Sequence, residues 1–338
     1  MRNHFMFLLS GEHPTLPLAE LEAVLGMKAE YELLKYVNNL AIYTTSRTGE
    51  RFINFISKRL ALTHKIYEFT GACYMENISE LVDHLPKFEM PYRVRVHMPE
   101  NPRKTEETER YIGNMIYRRI ESSGKKPRVS LEKPKTSIEF FINGDEVYSG
   151  IKLCDINRKK LRERVPTKRP FFKPVSLDPK IARAMVNLTR IEKGRLLDPF
   201  CGTGGILIEA GLLGFRVYGV DKNEEMVEGT KKNLEHFGLN GNIKCGDATA
   251  LKFSRHFFDC VVTSPPYGRL SSLGGMNIQT LYDKAMASIE NVLKPNSICV
   301  IAYPTNINLN TKMKLIEIHK ERINRSLERN IAVFKNRG

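Results

Sequence analysis

A short apolar strand that empties into Asp-Pro and then into a glycine-rich turn, Arg195–Gly205 (RLLDPFCGTGG), constrains this chain more than any other stretch. Gly202, Gly204 and Gly205 let the backbone approach a ligand more closely than a Cβ would allow. The amphipathic helix expected at Ile206–Leu213 opens with free N–H groups, so the spacing predicts a nucleotide-binding turn. The next expected strand, Phe215–Val220, ends in Asp221, where a carboxylate can accept both hydroxyls of a ribose. A third strand-like run ends at Gly246-Asp247-Ala248, and a fourth, Cys260–Thr263, delivers Ser264-Pro265-Pro266-Tyr267. Strand and helix alternate from about 175 to 338 at a spacing that predicts an α/β fold with a doubly wound, mostly parallel sheet. In such a sheet the carboxyl ends of the strands meet at one crevice, so Asp198, Asp221, Asp247 and Ser264 are expected to line one site. A nicotinamide dehydrogenase fits less well: G-x-G-x-x-G fails at Leu207, where a third glycine should allow helix and strand to pack closely.

The length, 338 residues, suggests two or more domains, and 41% apolar with 27% charged residues is ordinary for a chain with sizeable cores. A net charge of +15 favours a polyanionic partner, nucleic acid ahead of a membrane surface. The excess is focal: residues 1–100 carry 11 basic and 12 acidic side chains, residues 151–200 carry 14 and 5. The six cysteines form no C-x-x-C pair and fall mostly in apolar runs, which reads as core residues in a reducing compartment. With the histidines dispersed, no metal site is expected. The N-terminus lacks a cleavable leader pattern and no run reaches the length of a membrane span, so a cytoplasmic location is expected.

Residues 1–55 read as a small α/β unit with a strand at Phe5–Leu9, a helix at Pro17–Leu25, strand-like segments around Tyr31–Tyr43 and a helix from about Glu50. Residues 56–155 read as a second α/β segment: helix Ile78–Leu85, strand Tyr92–Met98, helix Thr108–Arg119, and strands Thr136–Ile142 and Val147–Cys154 joined by an Asn143-Gly144-Asp145 turn. From 156 to about 175 periodicity is lost and Arg, Lys and Pro accumulate, as in an extended basic linker. A catalytic domain then fills 176–338, closing with strands near Ser297–Ala302, Lys314–His319 and Arg329–Phe334, where an antiparallel pair would resemble a methyltransferase sheet rather than a dehydrogenase's.

The Ser-Pro-Pro-Tyr turn has a chemical rationale. An exocyclic amine conjugated to a nucleobase is a poor nucleophile, so a site that alkylates it must orient the nitrogen lone pair by accepting its hydrogens, here through Ser264 Oγ and the Pro265 carbonyl. Prolines 265 and 266 hold that carbonyl rigidly, and Tyr267 can stack on the base. Standing alone, such a turn reads better as a packed loop; following three acid-tipped strands, it does not.

Taken together, Arg169–Arg190, DPFCGTGG and SPPYGR resemble the archaeal tRNA guanosine-10 N2-methyltransferases, over nearly the full chain. The resemblance implies S-adenosylmethionine as cofactor and a Rossmann-like methyltransferase domain, preceded by a ferredoxin-like domain (1–55), a THUMP domain (56–155) and a linker (156–175). It implies that Asp198, Pro199, Cys201, Gly202, Thr203 and Gly204 surround the methionine portion of the cofactor. Asp221 would hold the ribose, Asp247 and Ala248 the adenine, and Ser264, Pro265, Pro266 and Tyr267 the target guanine. Arg158, Lys159, Lys160, Arg162, Arg164, Lys168, Arg169 and Arg269 are the candidate RNA contacts, since RNA duplexes are gripped by their phosphates and 2′-hydroxyls. A small activating subunit is a further candidate partner. Thr-Ser-Pro-Pro-Tyr at 263–267 also matches DNA amino-methyltransferases acting on cytosine N4 or adenine N6, whereas the guanine-N2 enzymes usually place Asp at 264, so a DNA base or another RNA guanosine stays open at this point.

Overall fold

A computed structural model describes residues 3–174, 176–267, 277–324 and 327–337. The chain divides into two compact units that do not follow chain order: Met1–Gly11, Ala29–Ser57 and Thr63–Ile156 form one, Glu12–Lys28, Lys58–Leu62 and Asn157–Gly338 the other. Each is built on a seven-stranded sheet.

The first unit contains β1 (Asn3–Leu9), β2 (Tyr31–Val37), β3 (Leu40–Thr45), most of α2 (Glu50–Arg59), β4 (Thr63–Tyr74), α3 (Ile78–Asp83), β5 (Tyr92–His97), α4 (Thr105–Ser122), β6 (Thr136–Asn143) and β7 (Glu146–Asp155). Its sheet runs β2-β3-β1-β4-β7-β6-β5, antiparallel except for β5 with β6. The segments expected as domains 1–55 and 56–155 thus share one sheet, joined where β1 pairs with β4. The β6–β7 turn is the expected one, with Asn143 opposite Glu146. On α4, Ile112, Ile116 and Ile120 recur every four residues and face Val94, Val96, Ile138 and Phe140, so one apolar stripe fixes the helix on the sheet. β4 has no counterpart in the sequence reading: Lys65, Glu68 and Gly71 break its alternation, and it is held by neighbours on both edges instead.

The second unit contains α1 (Leu16–Gly26), the short α5 (Arg158–Arg162), α6 (Pro179–Asn187), β8 (Arg195–Asp198), α7 (Gly205–Leu212), β9 (Arg216–Asp221), α8 (Glu224–His236), β10 (Gly241–Cys245), β11 (Phe258–Thr263), α9 (Ile278–Val292), β12 (Leu293–Pro304), β13 (Lys314–Asn324) and β14 (Leu327–Lys335). Its sheet order is β10-β9-β8-β11-β12-β14-β13, parallel through β12, with β14 inserted antiparallel between β12 and β13. The doubly wound sheet and its antiparallel closing hairpin are therefore as expected. Asp178 caps α6 by accepting the Lys180 N–H with Pro179 behind it, and Asn223 caps α8 through the Glu225 N–H. In the middle of strands β8 and β11, Leu196, Leu197, Val261 and Val262 are apolar and at 0% exposure. The 156–175 segment is less extended than expected, since Asn157 caps α5 and one tight turn forms at Pro166–Lys168.

Helix α1 and residues 58–62, remote in sequence from the catalytic half, complete its core. Leu16, Ala23 and Leu62 lie in one apolar cluster with Ile181, Met185 and Leu196. Buried Glu20 accepts the Ala61 N–H (3.0 Å), the Leu62 N–H (2.8 Å) and Asn187 Nδ2 (2.8 Å). Arg59 donates to Asn187 Oδ1 and to the Glu192 and Ile191 carbonyls. Burial raises the Glu20 carboxyl to about 7. Glu20→Ala strands these buried donors, so a loss of roughly 2–4 kcal/mol is expected in denaturant unfolding. Residues 157–338 expressed alone are expected to melt without a cooperative transition; a sharp native-like melt would show that α1 and residues 58–62 are dispensable.

Candidate active site

The carboxyl ends of β8, β9 and β11 bring the predicted residues together. β8 delivers Asp198 into the interior, 2% exposed, where it accepts the Thr263 hydroxyl (2.7 Å) and the Phe200 N–H (3.2 Å). Burial raises its carboxyl to about 7 against the lowering effect of those two donors, and the neighbouring Asp221 charge adds to the rise. Among the described residues Asp198 has no ion-pair partner, so a ligand cation beside it would relieve the cost of its charge. Pro199 is buried in the turn that follows, and the Cys201 N–H donates to the Val220 carbonyl (3.0 Å), tying loop to strand.

The loop's glycines are used as the sequence suggests, with one relocation. Gly202 has φ +50° with nothing within 4 Å of the position a Cβ would take, so its outer face is open. Gly204, φ +80°, is the left-handed residue that starts α7, and a Cβ there would stand 2.9 Å from Thr230 Cγ2. Thr230 Oγ1 donates to the Gly202 carbonyl (2.6 Å), and Asn233 Nδ2 to the Thr203 carbonyl (2.9 Å). The close packing that a third loop glycine would provide is supplied from the strand: a Cβ on Gly219 of β9 would lie 2.7 Å from Leu207 Cδ1 and 3.0 Å from Cys201 Sγ.

Asp221 ends β9, its Oδ2 accepting the Gly202 N–H (3.0 Å) and its Oδ1 the Asn223 N–H (2.9 Å). One lone pair on each oxygen is left for a pair of hydroxyls. Burial pushes this carboxyl up. Asp247 follows β10, and its Oδ1 takes both the backbone N–H and the hydroxyl of Thr249 (2.8 and 2.7 Å) while Oδ2 pairs with Lys222 (3.0 Å). Burial raises Asp247, but the Thr249 and Lys222 contacts outweigh it and hold the carboxyl below its ordinary value. Ala248 is buried behind it.

Thr263, last residue of β11, joins the two halves of the site through its bond to Asp198, and Ser264 follows. Ser264 Oγ lies 3.4 Å from Tyr267 Oη; Pro265 is buried, and the Pro266 carbonyl accepts the Tyr282 hydroxyl (3.3 Å). Sequence reasoning missed Thr230, Asn233, Gly219, Tyr282 and Arg329, because each reaches the loops from elements whose register no local pattern specifies.

The basic set divides. Lys159, Lys160, Arg162 and Lys168 are exposed, and Arg158 is partly exposed, its guanidinium 3.4 Å from Glu12. Arg164 and Arg169, expected as RNA contacts, are interior. Arg164 grips buried Glu209 of α7 through two bonds (2.6 and 2.9 Å), and Arg183 Nε pairs with the same carboxylate (2.7 Å). Arg169 is 5% exposed, donates to the Arg164 carbonyl, and lies against Gly205 with Nη1 3.2 Å from where a Cβ would stand. For Arg164 the physical reason is Glu209, a carboxylate on the inner face of α7 that needs cations brought to it, and Arg169 is held by the Arg164 carbonyl. Arg269 lies outside the described residues. Three cysteines, 201, 260 and 299, are buried as expected, whereas Cys245 is exposed. No metal-holding cluster and no helix long and apolar enough to cross a membrane occur among the described residues.

A doubly wound sheet with an inserted antiparallel strand, a glycine turn between acid-tipped strands and a Ser-Pro-Pro-Tyr turn define an α/β methyltransferase, and residues 166–329 match the RMKL-like methyltransferase domain. The chain is 36% identical to the tRNA (guanine(10)-N2)-dimethyltransferase of Methanothermobacter thermautotrophicus over 98% of both chains, and 31% identical to that of Methanocaldococcus jannaschii over 97% of this chain and 99% of the relative. It belongs to the tRNA (guanine(10)-N2)-dimethyltransferase family. Its fold resembles TrmN from Thermus thermophilus, with a TM-score of 0.59 at 20% identity, covering 98% of this chain and 99% of that one. It also resembles SMU.472, a putative methyltransferase complexed with SAH, with a TM-score of 0.53 at 15% identity, covering 100% of each.

Because Asp198 has a higher pKa folded than unfolded, its contribution to stability is complete below about pH 4 and is lost as pH rises toward 7. Asp198→Asn removes that loss, so its melting temperature is expected to gain on the wild type between pH 5 and pH 8. A difference that does not change with pH would mean the carboxyl is not raised.

Proposed function

We propose that this protein transfers methyl groups from S-adenosylmethionine to the exocyclic N2 amine of guanosine 10 in tRNA, to the mono- and dimethylated product. Membership of the family over nearly the whole chain supports this reading. The observation that carries it is the Thr263–Asp198 hydrogen bond, which couples the glycine turn to the amine-binding turn at the carboxyl edge of one sheet.

The residues fit the cofactor. The open face of Gly202 admits a ligand against the backbone, buried Asp198 favours a positive group, and Asp221 retains acceptors for two hydroxyls. Pro199, Cys201, Thr203 and Gly204 shape the wall beside the methionine portion, and Asp247 with Ala248 borders the adenine. When bound, S-adenosylmethionine supplies an electrophilic methyl on a sulfonium. Ser264 Oγ and the Pro265 carbonyl accept the two amine hydrogens, which turns the nitrogen lone pair toward that methyl, and Tyr267 stacks on the base. None of these groups is a strong base, so the proton leaves to solvent after transfer.

The first unit, read as ferredoxin-like and THUMP segments, recognises the tRNA by shape, and the exposed cations of 158–168, which belong to the second unit, are phosphate contacts. A cytoplasmic location fits a tRNA substrate.

The test is transfer of labelled methyl to an unmodified tRNA transcript, to the same transcript lacking guanosine 10, and to duplex DNA, followed by nucleoside analysis. Label in N2-methylguanosine and N2-dimethylguanosine that requires guanosine 10 is expected; label in DNA cytosine or adenine would replace this reading. Activity of the purified chain alone, or only with a small added subunit, decides whether an activator is needed. Ser264→Ala is expected to lower kcat about tenfold, the worth of one hydrogen bond in the transition state, with cofactor affinity unchanged. Neutralising Lys159, Lys160, Arg162 and Lys168 together is expected to weaken tRNA binding and flatten its salt dependence by about 0.7–0.9 in slope per lost contact. An unchanged slope would make them bystanders.

A further inference from the structure

Tyr267 is anchored by a residue from the far end of the chain. In the β13–β14 hairpin Glu321 stands opposite Arg329, and both are buried, 9% and 8% exposed. Arg329 Nε is 2.5 Å from Glu321 Oε2, and Arg329 Nη1 donates to Tyr267 Oη at 3.3 Å. The other Glu321 oxygen faces His13 at 4.0 Å. A buried guanidinium with one edge neutralised by a carboxylate and the other turned onto a phenol has one orientation available to it.

Two consequences follow for the amine-binding turn. A guanidinium has donors only, so the direction of the bond is set: Arg329 gives and Tyr267 receives. The tyrosine keeps its own hydrogen to offer to Ser264 Oγ, 3.4 Å away, an oxygen that in that arrangement retains a lone pair for an amine hydrogen. Holding the para-hydroxyl also fixes χ1 of Tyr267, and because a phenol oxygen accepts preferentially near the plane of its ring, the direction of the Arg329 N–H favours one ring plane about the Cβ–Oη axis. A base stacked on a ring of fixed plane has its amine at a fixed height above the turn. Methyl transfer depends on that height far more than binding does, since misplacement by about 1 Å costs about 100-fold in rate.

We propose that Arg329, held by Glu321, is a positioning residue that orients the Tyr267 ring and hydroxyl for the target base. This rests on the reading of Ser264–Tyr267 as the base-binding turn. Arg329 touches neither base nor cofactor and acts through Tyr267.

The test is a double-mutant cycle on kcat, with cofactor and tRNA affinities measured alongside. Removing Arg329 alone would strand buried Glu321, so the pair is replaced as a unit, Arg329→Met with Glu321→Gln, and crossed with Tyr267→Phe. The expected result is a 10- to 100-fold fall in kcat for the pair variant, affinities within about twofold of wild type, and no further fall when Tyr267→Phe is added. Arg329→Lys, which keeps a donor, is expected to recover part of the rate. A pair variant with kcat within twofold of wild type, or losses that multiply in the triple variant, would overturn the proposal. So would a fall in kcat matched by equal losses of cofactor affinity and melting temperature. If the wild type methylates an acceptor other than tRNA guanosine, the functional reading fails while the cycle is still decided on that acceptor by the same criteria. A wild type that binds the cofactor and methylates no nucleic acid overturns both.

Discussion

A carboxylate buried at the tip of the central strand governs the catalytic unit. Asp198 sits where β8, β9 and β11 end together, and water is excluded from it. An acid in that position is costly unless donors converge on it, and two do: the N–H of Phe200, supplied by the turn the Asp-Pro sequence imposes, and the hydroxyl of Thr263. Thr263 therefore does more than end a strand. It fixes the spacing between the turn that leaves β8 and the turn that leaves β11, and any ligand bridging the two finds that spacing already set. With no cation beside it among the described residues, the acid remains poised between its two forms, which is the condition under which a positive ligand gains most.

Basic residues in the 156–169 segment have two different employments that a charge count merges. Lys159, Lys160, Arg162 and Lys168 face solvent. Arg164, indistinguishable from them in sequence, is drawn inside by Glu209, one helical turn past Gly205 on the same face of α7, and Arg169 is held inside by its bond to the Arg164 carbonyl. The acid that decides the matter lies about 45 residues away in the chain, and no local pattern links it to either arginine. Charge excess was legible; which charges are structural was not.

The parts of the fold legible in the sequence are those set by near neighbours: the alternation of β8 to α9, the β6–β7 turn, and the acids at the strand ends. What escaped depends on pairing between distant segments. Gly219 provides the clearance that a third glycine in the turn would have given, because helix and strand can be brought together by removing a Cβ from either. β4 lacks the alternation of a strand yet forms one between β1 and β7. The division of the N-terminal half at residue 55 was drawn from periodicity, whereas hydrogen bonding carries a single sheet across that position. Departure of α1 and residues 58–62 to the catalytic unit leaves no mark on the sequence beyond Glu20, an acid on the buried face of α1.

The stretch after Arg164 is better understood as a clamp on the glycine turn than as a linker. The ring of Phe171 occupies the space a side chain at Gly229 of α8 would need, 2.1 Å from the position of its Cβ. Asn233, one turn further along α8, brackets the Phe171 backbone by accepting its N–H and donating to its carbonyl. The same amide group reaches the Thr203 carbonyl, and the Ser176 and Thr203 hydroxyls lie 2.7 Å apart. With Arg169 against Gly205, the segment thus contacts the turn at Thr203 and at Gly205, on either side of the left-handed residue at Gly204. A left-handed turn flanked by glycines is soft by itself. Its conformation here is held from outside by Arg169, Ser176 and α8, so the geometry of the ligand-binding backbone is a tertiary property, and the glycine pattern that announces the site does not by itself make it rigid.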